Sequence, residues 1–134
     1  MNATRAYARA TNETASPERL MVLLFEAALR QMRHAATLLD AKKDTEALAL
    51  LTKASDIVTE LGASLNAEVA PELANTLGEL YVFVAERLAM ASLTRTAAPV
   101  REAERAFAPI VDGFQQAVAQ VSAGQNSPRP QANP

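Results

Sequence analysis

Three prolines constrain this 134-residue chain more than anything else in it. Pro17, Pro71 and Pro99 each stand at the head of a long stretch whose apolar residues recur at helical spacing. At a first helical position the missing N–H of proline costs nothing, and its fixed φ already suits the helix. Deeper in a helix it removes a backbone bond, so each of these prolines reads as a start. The first start is the sharpest. Ser16 can accept a hydrogen bond from an unpaired N–H of the first turn, and Glu18 places negative charge at the positive end of the helix dipole.

Four helices follow from the spacing. The first is expected from Pro17 to about Ala41, with Leu24, Ala28 and Ala35 on one row and Met21, Phe25, Met32, Ala36 and Leu39 on the next. The second is expected from Thr45 to about Asn66 with Asp44 as its cap, and turns Leu48, Leu51, Ala54, Val58, Leu61 and Leu65 inward. The third runs from Pro71 to about Leu93, with Leu73, Leu77, Leu80, Tyr81, Val84 and Leu88 inward; Val82, Phe83 and Met90 fall outside that row as apolar surplus. The fourth opens at Pro99 and repeats Val100, Ala103, Phe107, Val111, Phe114, Val118 and Val121 at threes and fours. Pro109 lies inside it and predicts a kink near Arg105 to Phe107. Short connections make sequential helices antiparallel, so the fold class is all-α, an up-down four-helix bundle over residues 1–123. A short N-terminal arm (1–15) precedes the bundle, and residues 124–134, rich in Gln, Asn, Pro and Ser, read as a disordered tail.

Composition narrows the function. Hydrophobic residues make up 49% of the chain but aromatics only 4%, so Ala and Leu build the core, as packed helices prefer. The absence of cysteine excludes a disulfide scaffold and thiolate metal sites, and fits a cytoplasmic protein. Charges interrupt every stretch well short of the roughly 18 apolar residues of a membrane span, so no membrane insertion is expected. Residues 44–86 carry eight acidic side chains against one basic, Lys53, a surface unsuited to phosphate backbones; nucleic acid is not an expected partner.

Catalytic chemistry is hard to assemble. A di-iron bundle needs two Glu-x-x-His pairs, and the one histidine, His34, has no Glu three residues before it. A phosphotransfer histidine is normally followed by Lys and Gly; Ala35-Ala36-Thr37-Leu38 follows His34. No glycine-rich phosphate loop is present. The reading is a non-enzyme with no cofactor and no metal. What remains is apolar surface: the stripes on the first three helices are wider than one seam each, which suits a groove for an apolar partner segment or the face of a homodimer.

The same residues carry a resemblance. Tyr7, then Ala15-Ser16-Pro17-Glu18-Arg19-Leu20 and Leu24-Phe25-Glu26-Ala27-Ala28-Leu29, resembles the start of the flagellar secretion chaperone family FliS. The run from Ala54 through Ile57, Glu60 and Leu61 to Asn66, and Ala74-Asn75-Thr76-Leu77-Gly78-Glu79-Leu80-Tyr81, resemble its later signatures, in order and at the right spacing. Phe25 stands where the family usually has Tyr, and Ala27 where it usually has Gly.

The resemblance implies a non-catalytic cytoplasmic chaperone. It would bind the C-terminal segment of flagellin, prevent premature polymerisation and deliver it to the flagellar type III export gate. The expected client-binding residues are Tyr7, on the arm, Tyr81, at the rim, and Phe25, Ile57, Leu61, Leu77 and Val84, as wall of the groove; each of these five serves equally well as plain core. Two alternatives stay open at this point: a self-associating helical-bundle adaptor, and a histidine phosphotransfer module using His34.

Overall fold

A computed structural model describes residues 16–126 as four helices: α1 (Pro17–Asp40), α2 (Asp44–Ala63), α3 (Pro71–Thr94) and α4 (Ala98–Asn126). No strand occurs among the described residues. The expected arm, and the expected tail beyond residue 126, lie outside them. The tail was expected to begin at Gly124; α4 instead runs on to Asn126. Each helix packs on its neighbours in sequence and α4 closes on α1, while the diagonal pairs make no close backbone approach. This is the expected up-down bundle.

The helix starts follow the sequence signals closely. Ser16 is the N-cap of α1, and its hydroxyl accepts the N–H of Arg19 at 3.1 Å. Asp44 is not the cap of α2: Lys43 holds that position without a side-chain hydrogen bond, and Asp44 is the first helical residue, its carboxylate 3.9 Å from Arg95. There it still favours the helix dipole. Helix α4 begins one residue ahead of Pro99 and is continuous through Pro109.

The two ends of the bundle differ. At the end holding the α1–α2 and α3–α4 turns, Met32, Ala36, Leu39, Leu51, Leu88, Ala91, Val100 and Ala103 are all buried. There α1 closes with the N–H of Lys43 on the carbonyl of Leu38 (2.9 Å) and that of Lys42 on Leu39 (3.0 Å), with Lys42 left-handed at φ 62°. That bonding pattern satisfies carbonyls the helix end would orphan. Arg95, at φ 57°, ends α3 in the same conformation.

At the opposite end α2 stops at Ala63, three residues short of expectation. Asn66 serves the turn instead: its Oδ1 accepts the N–H groups of Glu68 (3.0 Å) and Val69 (3.3 Å). The first turns of α3 therefore run past the end of α2. Leu73, expected inward and on the same helical row as Leu77, Tyr81 and Val84, is 59% exposed. Val121, expected inward at the end of α4, is 54% exposed.

Four aromatic rings fill the middle of the core. Phe25 lies 5.7 Å from Phe107 and 5.0 Å from Phe114, ring centre to ring centre, and Tyr81 lies 6.5 Å from Phe107. On the outside, Arg33–Glu104 (2.8 Å), Arg101–Asp40 (2.7 Å) and Gln115–Glu26 (2.6 Å) stitch α1 to α4. Surface ion pairs such as the first two contribute about 0–1 kcal/mol each, so they align the helices more than they hold them.

Candidate functional site

The residues expected to wall a groove are mostly core. Phe25, Ile57, Leu61, Tyr81 and Val84 are buried, each exposing 5% of its surface or less, and Leu77 is half-buried against the same cluster. Their burial has a simple cause. Helical spacing places all of them on inward rows, and each inward row finds a neighbouring helix over it. Tyr81 was expected to keep its hydroxyl wet at a rim; burial instead pushes its phenol up to about 12. Tyr7 lies outside the described residues.

The wide stripes of α1 and α2 are likewise covered, with eleven buried residues on α1 and six on α2. The surplus that stays exposed is concentrated on α3 and the loop before it: Val69, Leu73, Val82, Phe83, Met90 and Leu93. Only Tyr81, Val84, Leu88 and Ala91 of α3 are buried. Large apolar residues thus stand on outward as well as inward positions of α3, more than one core-facing stripe requires.

The exposed residues of α3 fall on two strips. Leu73, Phe83 and Met90, with the half-buried Leu80 between them, lie along the flank toward α4, which is fixed by Arg87: its guanidinium pairs with Glu102 of α4 at 3.3 Å and sits 5.9 Å from the Phe83 ring. On the α4 side that flank continues through Ala106, Ile110 and Gly113, and a methyl group added at Gly113 would meet nothing within 4 Å. Small residues thus leave room beside the strip. The second strip holds a shallow depression of about 570 Å³ lined by Ala74, Asn75, Gly78, Glu79 and Val82. Both strips can receive an apolar segment; neither offers catalytic groups.

Two other places were weighed by their chemistry. A cleft of about 540 Å³ between α1 and α4 is lined by Glu26, Leu29, Arg30, Arg33, Ala108, Val111, Asp112 and Gln115. Of its charges, Arg33 pairs with Glu104 and Glu26 accepts from Gln115 across the α1–α4 seam, while Asp112 accepts from Gln116 of its own helix. His34 is exposed on α1, and no group of His, Asp and Glu that could hold a metal occurs among the described residues. No helix among them is long and apolar enough to cross a membrane.

The family model of the flagellar protein FliS matches residues 1–121. This chain belongs to the FliS family. It is 31% identical over 117 residues to the flagellar secretion chaperone FliS of Salmonella typhimurium, covering 84% of this chain and 87% of that one. It is 27% identical over 117 residues to the flagellar secretion chaperone FliS of Bacillus subtilis, covering 87% and 86%. The fold matches the crystal structure of a bacterial flagellar chaperone at a TM-score of 0.70 and 22% identity, across 87% of this chain and 97% of the other. Within this FliS-family bundle the sequence pattern did flag Val82, Phe83 and Met90 as surplus. It missed Leu73, which lies on an inward row, and Val69, which sits in a loop.

Proposed function

We propose that this chain is a non-catalytic chaperone that holds the C-terminal segment of flagellin on α3, keeps it from polymerising in the cytosol and delivers it to the flagellar type III export gate. The observation that carries the reading is the exposure of α3, the helix with the most apolar surface left open to solvent. Burying apolar area yields about 25 cal/mol per Å², so a client helix laid on Leu73, Leu80, Phe83 and Met90 gains from every side chain it covers. The names of the relatives, flagellar secretion chaperones, support the same partner class. Tyr7 is retained as a further client contact, from the arm.

Size-exclusion chromatography with purified flagellin and with its C-terminal segment tests the proposal. A one-to-one complex is expected at micromolar concentration, with added helicity in far-ultraviolet circular dichroism as the segment orders. Tyr7→Ala is expected to weaken the complex and leave unfolding unchanged. Failure of flagellin to shift, combined with dimerisation of the chain alone, would make α3 a homodimer face instead.

A further inference from the structure

The outer flank of α3 has a heptad register, in which Leu73, Thr76, Phe83 and Met90 are exposed and Leu80 and Arg87 half-buried. Leu73, Leu80 and Arg87 recur every seventh residue, as do Thr76, Phe83 and Met90, and the two sets alternate at threes and fours. These are the seam positions at which one helix packs along another. The position just before each member of the first set is Glu in every heptad: Glu72, Glu79 and Glu86, all exposed. Rising about 1.5 Å per residue, the helix sets the three carboxylates roughly 10 Å apart in one row. Glu79 accepts a hydrogen bond from Asn75 of its own helix at 3.0 Å. The matching flank on the other side of the seam is Leu77, Val84 and Ala91, turned into the bundle, so the glutamate row alone can select by charge.

Charges flanking a helical seam set partner choice and orientation, and they act more on register and encounter than on raw affinity. The row belongs to a stretch, residues 44–86, with eight acidic residues against one basic. A polar group at a seam position also fixes register, and Arg87 is such a group, held by Glu102. We propose that the seam reads its client by charge. An amphipathic helix from the C-terminal segment of flagellin lays its apolar face along Leu73, Leu80, Phe83 and Met90. Its flanking Lys or Arg residues then pair with Glu72, Glu79 and Glu86. The inference rests on the client reading above and adds the chemistry of the segment.

The test is a titration of the full chain with the C-terminal segment of flagellin at about 0.01 M and about 1 M ionic strength, where screening lengths differ about tenfold. The combined Glu72→Gln, Glu79→Gln and Glu86→Gln variant is compared with Glu46→Gln, Asp56→Asn and Glu68→Gln, which remove the same charge elsewhere. The ridge variant is expected to bind about tenfold more weakly at low salt and to lose most of the salt dependence, while the control keeps both. Unchanged affinity and salt dependence in the ridge variant, or an equal loss in the control, overturns the charge ridge and leaves the chaperone reading standing. Loss of self-association with client binding intact would reassign the seam to a second copy and overturn it also. No binding by the unaltered chain overturns both.

Discussion

Phe107 and Phe83 sit on adjacent helices and are expected to fail in different ways. Phe107 is fully buried between Phe25 and Tyr81, so Phe107→Ala leaves a cavity and should cost about 3–5 kcal/mol in chemical denaturation. Phe83 is 43% exposed and loses little beyond its contact with Arg87, so Phe83→Ala should cost about 1 kcal/mol or less while weakening client binding. Tyr81 makes a pH prediction. Its phenol stays neutral to about 12 in the fold but ionises near 10.0 when unfolded. The stabilisation from burying it is therefore complete below pH 10.0 and is lost as pH rises through about 12, because the unfolded chain gives up the proton first. Denaturation at stepped alkaline pH should show that fall in the unaltered chain and a smaller one in Tyr81→Phe.

At the scale of the elements, the helix ends set the boundaries and each contributes on the order of 1 kcal/mol. Ser16→Ala removes the hydroxyl that receives the N–H of Arg19 and should cost about 1 kcal/mol in thermal or chemical unfolding. Lys42 holds a left-handed conformation that glycine adopts freely, so Lys42→Gly should stabilise by about 1 kcal/mol. The same ends decide what was legible in the sequence. Starts were readable, because proline and Ser16 act within one turn of the boundary they set. Finishes were less so: α2 ends at Ala63 and Asn66 serves the turn beyond it, and no spacing of apolar residues announces that. Asp44 was misread for a related reason. Asp serves well both as a cap and in a first turn, and only the backbone of Lys43 shows which.

Taken whole, the molecule is a bundle closed at one end and apolar along one helix. Its four-helix architecture was readable from periodicity, since each inward row needed only some helix to cover it. The exposed apolar surface was half readable. Spacing separates inward from outward on one helix, but it does not say which inward positions a neighbour covers. Hence Phe25, Ile57, Leu61, Tyr81 and Val84 prove to be core, and Leu73 opens to solvent. What distinguishes α3 is the mismatch between its apolar character and its cover, a property of the assembled bundle. The most direct test is calorimetric titration of the C-terminal segment of flagellin into the full chain and into a Leu73→Ser, Phe83→Ser double variant. A one-to-one complex is predicted for the unaltered chain. The variant should lose affinity by about a hundredfold, roughly 3 kcal/mol, while its melting temperature shifts by only a few degrees. Full-affinity binding by the double variant would contradict the assignment of the client to α3.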